Sequence, residues 1–245
     1  MEFKIEICAD SVESAIIAQE AGADRIELCS SLYEGGLTPS SGIISSAREN
    51  LSIDLHVLIR PRGGDFLYSD HEYDIMRRDI EICGEYGVNG IVLGILSHDG
   101  EIDLERTARL IELAHPMSAT FHRAFDMCAD PLRGLQDVIS CGASRLLTSG
   151  QKNQATENIE LIAKLADKAG SRIIVMPGSG IDESNIEHIA KKTGAKEFHL
   201  SGRKTVESSM TFVRDYIIID RVSGISRKIA DQQTIKNIIS ILKLI

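Results

Sequence analysis

The segment EAGADRIEL, residues 20–28, contains the pattern on which the fold prediction rests. Its glycine is placed to end a helix, and a short run with alternating apolar residues follows within three positions, as at the start of a strand. Similar segments recur as EYGVNGIVL (85–93), SCGASRLLT (140–148) and KTGAKEFHL (192–200). Each is typical of the connection from a helix to the next strand, so the repeats predict a chain of βα units.

The same pattern predicts eight strands along the chain, at residues 3–8, 25–29, 54–60, 90–94, 118–123, 144–149, 173–177 and 197–201. Helical patterns such as 11–21 and 104–114 lie between them. The count predicts a single-domain (β/α)8 TIM barrel over residues 1–245. The last part, 216–245, is the least regular, with a strand-like YIIID (216–220) and a helical pattern at 232–244. It is expected either to close the barrel or to contact a partner subunit.

Composition excludes several classes of function. The net charge is −9 and there is no tryptophan, so neither nucleic acid nor a base-stacking surface is expected. No apolar run is long enough to span a membrane, and the first ten residues lack a signal peptide pattern, which predicts a cytoplasmic protein. The five cysteines form no CxxC pair, so we expect reduced thiols instead of a disulfide framework or a zinc ribbon.

The inward faces of the predicted strands are unusually polar. Alternation along each strand places on them Glu6, Cys8, Glu27, Cys29, His56, Leu58, Arg60, Thr120 and His122. An unpaired buried carboxylate costs several kcal/mol, so Glu6 and Glu27 need partners. We expect these to come from Arg60, His56 and His122. Both a structural ion-pair network and a functional site at the C-terminal ends of the strands fit this pattern.

Two loops at the predicted mouth, IRPRGGDF (59–66) and FHRAFDM (121–127), carry Arg60, Arg62 and Arg123. Such arginines suit a carboxylate or phosphate ligand. His122 fits a general acid or base whose imidazole is oriented by Asp126. The alternative is a set of salt bridges, including Asp65, that stiffens the rim. The candidate catalytic residues are Glu27, His56, Arg60, His122, Arg123 and Asp126.

Glycine- and serine-containing loops follow the seventh and eighth predicted strands, in MPGSGI (176–181) and LSGRK (200–204). Barrels often bind phosphate at this position, through open backbone N–H groups. The candidate anion-binding residues are Gly178, Ser179, Gly180, Ser201, Gly202 and Arg203.

Cys8 and Cys29 end neighbouring predicted strands with the same facing. Strands in a sheet lie about 4.8 Å apart, so two thiolates at these positions are close enough to bind one soft ion such as Cu(I). A pair of small core residues is the alternative. The other three cysteines, at 83, 128 and 141, fit helix or loop packing.

The chain resembles the copper homeostasis protein CutC family. The resemblance rests on residues 6–40, IRPRGGDFLYS (59–69), TFHRAFD (120–126), LLTSG (146–150), MPGSGI (176–181) and EFHLSGR (197–203), and weakens after Arg203. It implies a TIM barrel, a cytoplasmic location and a role in copper tolerance or trafficking. It also implies that the cysteines matching Cys8 and Cys29 bind Cu(I).

Two hypotheses follow. One is a cytosolic copper homeostasis protein that binds Cu(I). The other is an enzyme that uses general acid-base chemistry on a small phosphorylated or carboxylated metabolite. Neither requires an organic cofactor, and both are compatible with a homodimer. Nucleic acid and membrane partners are not expected.

Overall fold

The computed structural model describes residues 3–212, 214 and 225–245 and contains a parallel eight-stranded barrel. Its strands are β1 (Lys4–Ala9), β2 (Arg25–Leu28), β3 (Asp54–Leu58), β4 (Gly90–Leu93), β5 (Ser118–Phe121), β6 (Arg145–Thr148), β7 (Ile174–Pro177) and β8 (Glu197–Leu200). The predicted (β/α)8 fold is confirmed, and most strands are one or two residues shorter than predicted.

The helices alternate with the strands. They are α1 (Val12–Ala21), α2 (Ser41–Asn50), α3 (Asp70–Glu85), α4 (Leu104–Ala114), α5 (Pro131–Ser140), α6 (Ile159–Ala169), α7 (Ile186–Thr193) and α8 (Gln232–Lys243). Local signals set their ends. The side chain of Ser11 caps α1, and Ser69 forms a reciprocal capping box with Glu72 at α3. Gly22 ends α1 with φ of 97°, a conformation that side chains disfavour.

Strand order around the barrel is β7-β6-β5-β4-β3-β2-β1-β8, with parallel pairing throughout. The β1–β2 register places Glu6 beside Arg25, and the β1–β8 register places Glu6 beside His199. Within the described part of the chain, β7 and β8 are joined by one parallel bridge, between Gly178 and His199. The barrel is therefore nearly closed, and its weakest seam lies between β7 and β8.

Outward-facing strand residues form the main apolar core beneath the helices. Ile7, Ile26, Val57, Phe121 and Phe198 are all fully buried in it. The opposite strand faces carry the polar residues into the barrel interior, as the alternation predicts. A separate small apolar cluster, of Cys8, Cys29, Leu58 and Val92 with Leu32 against it, lies among them.

The C-terminal part packs on the chain's own barrel. Two short strands, β9 (Arg203–Val206) and β10 (Arg227–Ala230), pair in antiparallel fashion. Strand β10 packs against α1, and α8 packs between α1 and α7. The predicted helix at 232–244 is confirmed, and the strand-like run at 216–220 lies outside the described residues. No helix in the described ranges has the length and apolar character needed to cross a membrane.

Candidate functional site

The lower part of the barrel interior holds an ionic layer formed by Glu6, Arg25, Arg145 and Glu197, here called the lower ionic layer. Arg25 Nε donates to Glu6 Oε2 at 2.5 Å, and its Nη2 donates to Glu197 Oε2 at 2.6 Å. Arg145 Nε donates to the same Glu197 oxygen at 2.7 Å. The two arginines and two carboxylates balance in charge and bond one another, which is what buried ions require.

The predicted partners of the interior carboxylates are wrong. Glu6 is bonded by Arg25 and by His199, whose Nδ1 lies 2.7 Å from Glu6 Oε1. Arg60 and His122 lie further along their strands, towards the mouth, so they cannot reach this depth. Burial alone would raise the pKa of Glu6, but the His199 hydrogen bond and the charge of Arg25 hold that pKa below its usual range.

His56 also lies low in the barrel and does not line the mouth cavity described below. Its ring is packed against Gly90, where an added Cβ would come within 2.5 Å of Nε2. Burial, with the charges of Arg25 and Arg145 adding to it, lowers the pKa of His56 to about 4. His56 is therefore a neutral neighbour of the lower ionic layer.

Above this layer, Cys8 and Cys29 bring their sulfurs to 3.8 Å from one another, and both thiols are free. Cys29 is fully buried, while Cys8 borders the cavity at the mouth. Hydrogen bonding to Cys29 and burial raise the pKa of the Cys8 thiol well above its usual value. The Cys8 thiol is therefore protonated in the absence of a ligand that displaces its proton.

Glu27 and His199 adjoin the sulfur pair. Glu27 Oε1 accepts from Cys8 Sγ at 3.4 Å, and Glu27 Oε2 lies 4.0 Å from His199 Nδ1. One ligand atom from each of Cys8, Glu27 and His199 falls within 4.8 Å of the others. Burial raises the pKa of Glu27 although the positive charge of His199 opposes it, and Glu27 together with Glu6 raises the pKa of His199 against the effect of burial.

A cavity of about 500 Å³ opens above the sulfur pair, at the C-terminal ends of the strands. Its polar lining includes Cys8, Glu27, Arg60, His122, Arg123, Asp126 and His199. The structure thus brings five of the six candidate catalytic residues to one cavity and leaves His56 beneath it. We call Cys8, Cys29, Glu27, Arg60 and His122 the upper layer.

Arg60 is held by backbone oxygens. Its Nη1 donates to Glu34 O and Gly36 O at 2.8 and 2.9 Å, and its Nη2 donates to Gly64 O at 2.9 Å. The guanidinium therefore fixes two mouth loops, and its Nε remains buried with no hydrogen-bond partner among the described residues.

Asp126 does not orient His122, contrary to prediction. His122 is the N-cap of the 3₁₀ turn Arg123–Met127, so its Nδ1 accepts from Ala124 N at 3.1 Å. Asp126 instead accepts from Thr148 Oγ1 at 2.6 Å and pairs with Arg123 Nε at 2.8 Å. Asp126 stiffens the loop after β6, and the charge of the half-exposed Arg123 is already balanced.

At the outer rim, Arg62 pairs with Asp65 at 2.9 Å and with Glu72 at 2.6 Å. These contacts match the alternative interpretation, in which rim salt bridges stiffen the loops.

The candidate anion-binding loops divide into two groups. Ser179, Gly180 and Ser201 line the cavity, whereas Gly178, Gly202 and Arg203 do not. Gly178 forms the bridge to β8, Gly202 O accepts from Asp231 N at 2.7 Å, and Arg203 begins β9. Ser179 and Gly180 both have positive φ, of 75° and 69°, which turns the backbone sharply at the rim.

The sequence interpretation missed Arg25, Arg145, Glu197 and His199. The signal was present, because Arg25 has the same strand parity as Glu27, and Glu197 and His199 alternate with apolar Phe198 and Leu200. The contacts of Glu197 and His199 depend on closure of β8 onto β1, which the sequence does not display, whereas Arg25 meets Glu6 across the neighbouring strands β1 and β2.

The fold and site together define a TIM-barrel protein with a polar interior and a buried cysteine pair beneath the mouth. A model of the CutC family matches residues 3–204. A CutC family protein of Chromobacterium violaceum is 51% identical over 87% of this chain and 87% of its own length. The human protein named copper homeostasis protein cutC homolog is 44% identical over 98% of this chain and 89% of its own. The chain belongs to the CutC family.

A solved structure supports the same assignment. The putative copper homeostasis protein CutC from Streptococcus agalactiae matches with a TM-score of 0.78 and 35% identity, over 81% of this chain and 98% of that one. Phosphoribosylanthranilate isomerase from Thermotoga maritima, at 13% identity and a TM-score of 0.61, shows likeness of fold alone.

Proposed function

We propose that this protein serves copper homeostasis by binding one Cu(I) ion as cargo through Cys8 and Cys29. The observation that supports the proposal most is the 3.8 Å separation of the two sulfurs at the ends of adjacent strands. Cu(I) is a soft ion that favours thiolate ligands, and two converging thiolates supply them. The names of the human and streptococcal relatives point to the same metal.

The surroundings of the sulfur pair support this role. Leu58 and Val92, with Leu32 against them, form an apolar wall around the two cysteines, which limits the access of water to a bound ion. Cys8 borders the mouth cavity while Cys29 lies behind it, so Cys8 is the first sulfur that an incoming ion meets. Glu27 is close enough to take part in binding or to accept a displaced proton, and His199 lies within reach of the same ion once its ring gives up its proton.

The test is an anaerobic Cu(I) titration against a competing chelator. We expect the parent to bind one ion per chain and a Cys8→Ser, Cys29→Ser double variant to lose this binding. Cys128→Ser is the matched control, because Cys128 is also buried and free but lies outside the upper layer. Equal binding by the parent and the double variant would refute the proposal.

The cytosol is the compartment that fits the proposal, because all five cysteines are free thiols. A homodimer also belongs to the proposal. Its support is an exposed apolar rim at the mouth, where Tyr33 and Met127 are 67% and 70% accessible. Light scattering on the purified protein measures the subunit count, and a monomer at all concentrations would exclude the dimer.

A second candidate function is acid-base catalysis on a small phosphorylated or carboxylated metabolite. The observation that favours it is the size of the cavity, since about 500 Å³ far exceeds what one metal ion needs and falls in the range of metabolite sites. Glu27 is the proton-transfer residue of this candidate, and Ser179, Gly180 and Ser201 are placed at the rim to contact an anion. Turnover that Glu27→Gln abolishes in a metabolite screen would favour it over a transport role.

A further inference from the structure

Three side chains of different chemistry meet where the sulfur pair adjoins the mouth cavity. One ligand atom from each of Cys8, Glu27 and His199 lies within 4.8 Å of the other two, and all three residues line the cavity. They come from β1, β2 and β8, which are neighbours in the barrel. A thiolate, a carboxylate and an imidazole are the kinds of ligand that bind zinc in proteins.

His199 is held in the way that is usual for metal-binding histidines. Its Nδ1 lies 2.7 Å from Glu6 Oε1, and Glu6 is itself fixed by Arg25 Nε at 2.5 Å. A carboxylate on one ring nitrogen orients the imidazole and makes the other nitrogen a better ligand. The side chains of Cys8 and His199 are also within hydrogen-bonding range of each other. Nε2 is therefore the nitrogen that an ion can bind once it displaces the proton there.

Glu27 contributes a carboxylate that its neighbours do not fully use. Its Oε1 accepts from Cys8 Sγ at 3.4 Å, whereas Oε2 has no hydrogen-bond partner among the described residues. An ion bound among the three side chains contacts this carboxylate from within the group. The bond to Glu27 therefore does not depend on an oxygen that is exposed to the cavity.

We propose that Cys8, Glu27 and His199 form a binding site for a divalent ion of the zinc type, with one sulfur, one oxygen and one nitrogen ligand. The site shares Cys8 with the proposed Cu(I) pair but does not use Cys29, whose thiol donates to Ala9 O at 3.7 Å. The two ions therefore compete for Cys8, and either proposal can fail without the other. Three protein ligands leave the fourth tetrahedral position to water or to a molecule in the cavity, as in catalytic zinc sites.

The charge of the three ligands matches a divalent ion. A bound Cys8 thiolate and Glu27 carboxylate bring two negative charges, and a neutral His199 brings none, so a monovalent ion would leave one buried charge unbalanced. The thiolate disfavours Mg²⁺ and Ca²⁺, which take oxygen ligands. The other charged residues of the barrel interior and the cavity are equal in number and opposite in sign: Glu6, Glu34, Asp126 and Glu197 against Arg25, Arg60, Arg123 and Arg145.

The test titrates Zn(II) into copper-free, reduced protein against a chromophoric chelator, with Co(II) as a spectroscopic substitute. We expect one Zn(II) per chain, and Co(II) absorption that shows a four-coordinate ion with a thiolate ligand. X-ray absorption of the zinc-loaded protein should show one sulfur at about 2.3 Å and otherwise nitrogen or oxygen ligands. No binding of Zn(II) by the parent, or a zinc ion with two sulfur ligands, would overturn the proposal.

Glu27→Gln and His199→Gln are the informative variants, because each removes one ligand and leaves both cysteines in place. We expect the affinity for Zn(II) to fall at least roughly tenfold in each, since even the loss of a residue that only supports a metal ligand has an effect of this size. His98→Gln is the control, because His98 is an exposed histidine outside the group and should leave the affinity unchanged.

Cys29→Ser separates the zinc site from the copper pair. We expect this variant to bind Zn(II) as the parent does, while the proposed Cu(I) binding is lost. Circular dichroism identifies the variants that keep the parent's fold, and Glu27→Gln decides the case if His199→Gln does not fold. Unchanged Zn(II) affinity in folded Glu27→Gln, or loss of Zn(II) binding in folded Cys29→Ser, would refute the site, whatever the copper titration shows.

Discussion

The lower ionic layer and the upper layer differ in how well their polar groups are satisfied. In the lower layer Arg25 is bonded to both carboxylates, at 2.5 and 2.6 Å, and Arg145 is bonded to Glu197 at 2.7 Å. In the upper layer Glu27 Oε2, Arg60 Nε and His122 Nε2 lack a partner within the described ranges. The same barrel thus contains a network whose charged groups bond one another and a second layer that keeps unpaired buried polar atoms. We infer that the first stabilises the fold and the second binds.

The largest effect is expected for Arg25→Met. This change leaves Glu6 and Glu197 buried with their main counter-charge removed, so the free energy of unfolding should fall by about 3–5 kcal/mol. Urea denaturation measures the loss. Arg78→Met is the control, because Arg78 forms an exposed pair with Asp74 whose contribution is below about 1 kcal/mol. Similar losses of unfolding free energy in the two variants would show that the lower ionic layer contributes no more to stability than an exposed ion pair does.

Acid should destabilise the protein through its buried neutral histidines. The pKa of His56 is about 4 in the folded state and 6.5 without perturbation, so the unfolded chain binds more protons between these values. Stability from this group is present above about pH 6.5 and is lost as pH falls towards 4, by up to about 3 kcal/mol. His56→Gln should flatten the pH dependence of unfolding in that window by about one proton. If the pH dependence of unfolding had the same slope in His56→Gln as in the parent, the lowered pKa of His56 would be contradicted.

A pair of glycine variants compares the layers without changing a charge. An added Cβ at Gly90 lies 2.5 Å from His56 Nε2, and one at Gly94 lies 2.6 Å from His122 Nδ1. Each alanine variant should lose about 1–3 kcal/mol of stability, since overpacking shifts the ring. Only Gly94→Ala should also change the shape of the mouth cavity, because only its histidine borders that cavity. Urea denaturation measures both losses, and unchanged stability in either variant would contradict the overpacking.

The smallest effect is expected for Arg123→Gln. Arg123 is half-exposed and paired with Asp126, so its loss should cost less than about 1 kcal/mol. Thermal unfolding measures the change. A loss well above about 1 kcal/mol would show that this pair stabilises the rim more than an exposed ion pair does.

The sequence predicted the barrel because its signals are local. Helices that end at glycine and strands in which apolar and polar residues alternate appear within each βα unit. The alternation also predicted that Glu6, Cys8, Glu27 and Cys29 face the barrel interior. The pairing of Glu6 with His199 was missed because the two residues lie 193 positions apart and meet only when the barrel closes. The expected hydrogen bond between His122 and Asp126 is not formed, because the His122 imidazole caps the 3₁₀ turn that follows it. The backbone geometry of that turn determines this contact.

The seam between β7 and β8 has a consequence for the kinetics of amide exchange. In the described chain, one bridge between Gly178 and His199 joins β7 to β8. The backbone amides that face each other across this seam therefore lack the continuous ladder of hydrogen bonds that protects the amides of β1 and β2 from exchange. A groove of about 360 Å³ at the N-terminal end of this seam, lined by Ile174 and Lys196, brings solvent close to it. Deuterium should therefore exchange first into the backbone amides of β7 and β8. His199 lies on β8, so it is the residue of the site whose backbone takes part in this local opening.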